Sequence, residues 1–212
     1  MNKSNILIKL SEIAQALPSP VAQQAIAVLK KEVENSGGIK AGSERAEKNH
    51  VQLPLPSEIL GHKSRVALFT DGACRGNPGP GSWAYLAQDH HGELLTQRAA
   101  CEEHTTNNKM ELKAIIFGLK DLMMAYPKSE IWVYTDSKYV VDGMKSWVAG
   151  WKKRGWKKAD KKAPENLDLW QELDELNSKG RIIFNWVKGH SGHPQNEYAD
   201  QLANKELDAN GF

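Results

Sequence analysis

The chain has 212 residues, 40% hydrophobic and 25% charged, which suits one sizeable globular domain plus a small appendage and is too apolar for a wholly disordered chain. No apolar run nears the roughly 18 residues that cross a bilayer, so no membrane partner is expected. Twenty-eight basic against 26 acidic residues leave a net charge of only +2, which by itself points to no partner.

In chain order, Ile6, Leu10, Ile13 and Leu17, then Val21, Ala25, Val28, Leu29 and Val33, recur at helical spacing on either side of Pro18-Ser19-Pro20. The pattern predicts an α-helical hairpin over residues 1–36, stopped by Gly37-Gly38. Residues 37–64 are polar, rich in Gly and Pro and without sustained period, and read as a flexible linker. From residue 65 the chain alternates: strands at 65–70, 83–88 and 93–100, a helix at 108–124, a strand at 130–135 and a helix at 137–147. A basic stretch follows, then a helix at 166–178, a strand at 181–187 and a helix at 195–209. Strands in meander followed by strands alternating with helices imply an α/β domain over 65–212, a mixed five-stranded sheet flanked by helices. The parity of the patterns places Trp170 and Trp186 in the core. The start of the chain has no secretory leader pattern, and Cys74 and Cys101 are too few for a disulfide framework, so a reducing, cytoplasmic setting is expected.

Charge distribution says more than its total. Between residues 145 and 162, eight Lys or Arg face the single acid Asp160, with Trp147, Trp151 and Trp156 among them. In residues 71–81, DGACRGNPGPG, an acid follows an apolar strand and leads into four glycines and two prolines, a backbone shaped for a tight turn and close approach. A second acid, Glu111, lies near the start of a helix, where the helix dipole also favours carboxylates. Asp136 follows the strand IWVYT and could equally be an N-cap; Asp200 lies on the last helix. Two acids leaving strand ends and two on flanking helices can meet at one edge of the sheet. Clustered carboxylates repel unless cations sit between them, and an all-oxygen set suits Mg²⁺ or Mn²⁺ rather than zinc. Two such ions can activate a water and stabilise the leaving oxygen in phosphodiester cleavage.

Taken in order, DGACRGNPGPG, TTNNKMEL, YTDSKYV and VKGHSGHPQNEYAD resemble the successive motifs of bacterial type 1 ribonuclease H, over residues 65 to about 207. The resemblance implies an endoribonuclease that hydrolyses the RNA strand of RNA·DNA hybrids and leaves 5′-phosphate and 3′-hydroxyl ends. It implies that Asp71, Glu111, Asp136 and Asp200 are catalytic ligands of two Mg²⁺ ions, with Mn²⁺ able to substitute. His190, flanked by Gly189 and Gly192, becomes a mobile histidine assisting proton transfer or product release. Cys74, Asn77, Asn108 and the backbone around Arg75 and Met110 match positions contacting the RNA strand, where the 2′-hydroxyl is read. Thr106, Asn107 and Asn166 match positions binding a phosphate of the DNA strand. His104 stands where an Arg is often found. Trp147, Trp151, Lys152, Lys153 and Trp156 fall in a segment similar to the family's basic protrusion that grips the DNA strand.

Two other readings compete: a different nuclease or transposase on the same scaffold, and a hybrid-binding module with a dead site. The first lacks the combined glycine-rich turn, TNN helix start and basic tryptophan segment; the second would tolerate loss of the acids. Residues 1–64 contain no Trp, Tyr or Phe, so the N-terminal module is expected to contact protein or a second copy rather than stack on bases.

Overall fold

The computed structural model describes residues 53–212, together with Lys30; the helical hairpin expected at 1–36 lies outside the described residues. Five strands form one sheet: β1 (Arg65–Cys74), β2 (Gly79–Gln88), β3 (Leu94–Thr105), β4 (Glu130–Thr135) and β5 (Arg181–Trp186). Their spatial order is β3-β2-β1-β4-β5. The first three run antiparallel as a meander, and β4 and β5 join parallel to β1, the mixed sheet expected from the sequence.

Helix α1 (Asn107–Ala125) connects β3 to β4 and packs on β1 and β2. Its start is set by Thr106, whose hydroxyl accepts from the Lys109 amide. After β4 come α2 (Lys138–Asp142), a single π-turn (Gly143–Trp147) and α3 (Val148–Lys153). The one helix predicted over 137–147 is therefore widened in the middle and runs on to 153. Gly143 lies against the Trp170 ring so closely that a Cβ there would overlap it, and the π-turn sits at that contact. Helix α4 (Leu167–Lys179) packs on α1, and α5 (Pro194–Ala209) closes the chain.

Alternation along the strands divides the core into two faces. Leu68, Val133 and Phe184 face α1, α4 and their neighbours, with Met110, Ile115, Leu119, Trp151 and Trp170. Ala67, Phe69, Leu86 and Tyr134 face the other side, covered by Ala199 of α5. Trp170 is fully buried, as its helical parity predicts.

Three expectations need correction. The stretch expected to be flexible up to residue 64 is folded at its end: Ile59 is fully buried in the second core face, with Leu53 and Leu55 packed beside it. The Gln195 side-chain amide donates to Pro54 O and the Gly61 amide to His90 O, tying this strap to α5 and to the β2–β3 turn. The glycine-rich turn is narrower than predicted, because β1 continues through Cys74 by pairing Asp71–Cys74 with Gly81–Ala84 of β2. Trp186 is 45% exposed rather than in the core, since it lies at the C-terminal end of the edge strand β5. Among the described residues no helix is long and apolar enough to cross a membrane.

Candidate active site

Asp71 and Asp136 are delivered by adjacent parallel strands. Asp71 lies within β1 and Asp136 immediately follows β4, whose register with β1 ends at Thr70↔Thr135. Ser137, not Asp136, caps α2 through its hydroxyl and the Val140 amide at 3.4 Å, so the Asp136 carboxylate is left for another task. Glu111 is the fifth residue of α1, beyond the first turn, and its burial is not explained by the helix dipole. What brings it to Asp71 is the absence of a side chain at position 72. A Cβ there would stand 2.6 Å from the Glu111 backbone nitrogen.

Each of Asp71, Glu111 and Asp136 offers a carboxylate oxygen within 4.8 Å of the other two. Asp71 and Glu111 are buried, and Asp136 is half-buried. Glu111 Oε2 and Asp136 Oδ1 have no hydrogen-bond partner among the described residues. The electrostatic cost is plain in the titration of the three acids. Burial, then the charges of Asp136 and Asp200, push the Asp71 carboxyl up to about 8 against the pull of the Gly72 amide, which donates to Asp71 Oδ1 at 2.7 Å. Burial and the charges of Asp71 and Asp136 raise Glu111 well above the ordinary carboxylate range. Burial also raises Asp136, opposed by its own amide, by His190 and by Asn196. Orphaned buried oxygens on crowded carboxylates are the donor set of a hard divalent cation. Asp71, Glu111 and Asp136 therefore fit a divalent metal.

Asp200 stands outside that tight triad, on α5, yet its charge raises both Asp71 and Asp136. Asn204, one turn later, donates to Asp200 Oδ1 at 2.8 Å and fixes the carboxylate. His190 is exposed in the loop between β5 and α5, with φ of 49°.

Beside the acids, Asn77, Thr106, Asn108 and Asn166 line one open cleft of about 540 Å³, with Lys109, Glu165 and Asp168. Asn166 is held in a left-handed conformation and donates to Tyr139 Oη at 3.2 Å, which also accepts from Trp170 Nε1. Asn107 faces the acids instead, donating to Glu111 Oε1 at 3.4 Å while its amide reaches Asn77 Oδ1. The Cys74 thiol lies 2.7 Å from Gly76 O, and Arg75 pairs with Asp208 of α5. Met110 is fully buried, so its side chain is not available to a ligand.

In the basic segment Trp147 is exposed at its rim, Trp156 is partly buried and Trp151 is buried against Trp147 and Trp170. Lys152 pairs with Asp174 at 2.8 Å, whereas Lys153 forms no ion pair among the described residues.

The fold is shared with known proteins. The family model described as RNase H matches residues 63–208. The chain belongs to the ribonuclease H family. It is 51% identical to "Ribonuclease H" of Erythrobacter litoralis over 146 residues, covering 68% of this chain and 96% of that protein. With "Ribonuclease H" of Marinobacter nauticus it shares 48% over 141 residues, covering 66% and 92%. Among solved structures, LC9-RNase H1, a type 1 RNase H with the type 2 active-site motif, superposes with a TM-score of 0.61 at 34% identity, covering 74% of this chain and 75% of that one. LC11-RNase H1 in complex with RNA/DNA hybrid gives 0.55 at 27% identity, covering 68% and 98%.

Sequence reasoning missed several residues that touch these acids. Asn196 and Asn204 flank Asp200 at one-turn intervals on α5, a polar stripe at positions i−4, i and i+4 that periodicity alone could have flagged. Trp186 donates its indole N–H to the Asp136 carbonyl at 3.0 Å, and Gly189 lies against Asp136 Oδ2. Neither carries a local sequence signal, because both depend on the parallel pairing of β4 with β5.

Proposed function

We propose that this domain is a metal-dependent endoribonuclease that cuts the RNA strand of RNA·DNA hybrids, leaving 5′-phosphate and 3′-hydroxyl ends. The observation that carries this reading is the convergence of Asp71, Glu111 and Asp136 within 4.8 Å, with buried oxygens that lack partners among the described residues. Asp71, Glu111, Asp136 and Asp200 would hold two Mg²⁺ ions, for which Mn²⁺ would substitute. When bound, the ions supply Lewis acidity that neutralises charge at the scissile phosphate and readies a water for attack.

The chain's own residues do the rest. The Gly72 amide and Asn107 keep the Asp71 and Glu111 carboxylates oriented, and Asn204 does so for Asp200. His190 assists proton transfer or product release, a role suited to a side chain on an exposed loop between glycines. Asn77, Asn108, the Cys74 region and the backbone at Arg75 and Met110 contact the RNA strand across the minor groove, where the 2′-hydroxyl distinguishes RNA from DNA.

Thr106 and Asn166, in the cleft beside them, take a phosphate of the DNA strand, with Asn107 bridging that cleft and the acids. Exposed lysines such as Lys153, the rim of Trp147, Lys152 and Trp156 extend the grip along the DNA strand. Trp151 supports them from beneath. The two cysteines are free, in accord with a reducing compartment such as the cytoplasm.

End-labelled hybrid, RNA duplex and DNA duplex incubated with the full chain and Mg²⁺ test the proposal. Internal cuts confined to the RNA of the hybrid are expected. Cutting of duplex DNA, or no cutting of the hybrid, rejects it.

A further inference from the structure

A tryptophan that is nearly half exposed at a strand end needs a reason, since a large ring left in water forgoes the burial that ordinarily retains it. Trp186 has no place in either face of the core. Its one polar atom is spent on the active site: Nε1 donates to the main-chain oxygen of Asp136 at 3.0 Å.

The location gives that bond its leverage. Parallel pairing of β4 with β5 ends at Thr135↔Trp186, and one more backbone bond follows, from the Val187 amide to Thr135 O at 2.9 Å. Asp136 belongs to neither β4 nor α2, so it has no ladder of its own. Ser137, next in line, is tied to Thr135 Oγ1 and to α2. The indole is therefore the group that holds the peptide bearing the Asp136 side chain, while Gly189 closes on the carboxylate from the same connection. Lys138 Nζ lies over the indole, 5.5 Å from its centroid, and steadies the ring.

We infer that Trp186 is a positioning residue for Asp136: its indole N–H fixes the peptide from which this carboxylate reaches the metal site. The inference rests on the reading of Asp136 as a metal ligand. Outer groups that orient a ligand commonly alter metal affinity on the order of tenfold when removed.

The test replaces only the donor. The full chain carrying β-(3-benzothienyl)alanine at 186 keeps the bicyclic ring and puts sulfur where the N–H was; Trp186→Phe is the simpler companion. Mn²⁺ affinity is measured by calorimetry without substrate, hybrid affinity in EDTA, and kcat separately from KM, with Asp136→Asn titrated alongside. The expected result is Mn²⁺ binding weakened about fivefold or more and a lowered kcat, with hybrid affinity in EDTA within about twofold of wild type.

Unchanged Mn²⁺ affinity in both 186 variants, beside a clear loss in Asp136→Asn, overturns the inference alone. So does weakened hybrid affinity with intact Mn²⁺ binding, which would make the ring a nucleic-acid contact. Undiminished Mn²⁺ binding by Asp136→Asn overturns the ligand reading beneath it.

Discussion

Gly72 and Glu111 meet backbone to backbone, at the point where β1 passes the second turn of α1. A side chain at 72 would stand 2.6 Å from the Glu111 nitrogen and 2.8 Å from the Met110 carbonyl carbon. Neither neighbour is a flexible side-chain end that can swing aside. Gly72→Ala must push α1 away from β1, and overpacking of this kind costs about 1–3 kcal/mol. Urea denaturation is expected to show that loss, and hybrid cleavage at saturating Mg²⁺ to fall at least about tenfold as Glu111 leaves Asp71.

Gly189 poses the converse case, a glycine whose substitution strikes the site and not the core. An added methyl there would overlap Asp136 Oδ2. Because the residue lies in a connection outside the described core clusters, Gly189→Ala is expected to lower turnover by at least about tenfold while changing unfolding free energy by less than about 1 kcal/mol. Cleavage rates and denaturation midpoints measured on the same preparation check both halves.

The crowded acids make metal-free stability depend on pH in a definite sense. Asp71 titrates near 8 in the fold against an ordinary value of 3.8, and Glu111 is raised in the same direction. Protonation is thus favoured by the folded state, and the unfolded chain binds fewer protons in that interval. The contribution is complete below about 3.8 and is lost as pH rises through about 8. In EDTA, melting temperature is expected to decline over this window more steeply for wild type than for Asp71→Asn. Added Mg²⁺ should raise it more at pH 8 than at pH 5, because binding displaces those protons. Equal pH slopes for the two proteins in EDTA would contradict the assignment.

Ile59 tests whether the strap belongs to the catalytic domain. It is fully buried against the face that carries Phe69 and Leu86, so Ile59→Ala in the full chain is expected to cost about 2–4 kcal/mol by denaturation. Cleavage per folded molecule should stay near wild type, since Ile59 is not among the residues that bring the acids together.

Much of this architecture was legible because strong periodicity coincides with simple packing. Residues 130–135 read as a strand and form one, and the helices around 108–124 and 195–209 extend their predicted ranges by only one or two residues. The acids were legible through their motifs. Elsewhere the physics is non-local. Gly72 and Gly81 lower strand propensity, yet β1 and β2 continue through them because the missing side chains admit Glu111 and Thr105. Leu53, Leu55 and Ile59 follow no period between Pro54, Pro56 and Gly61, so only the exposed sheet face they cover explains their order. Trp186 shares the parity of Ile182 and Phe184 but lies past the point where helices cover β5.

The most direct measurement of the central claim is single-turnover cleavage of an RNA·DNA hybrid by wild type, Asp71→Asn, Glu111→Gln and Asp136→Asn, with hybrid affinity determined in parallel. Wild type should cut the RNA strand only when Mg²⁺ or Mn²⁺ is present. Each variant should lose at least about a hundredfold in rate while binding hybrid within a few fold of wild type. Cleavage that persists in EDTA, or any one of the three variants cutting at the wild-type rate, would contradict the account.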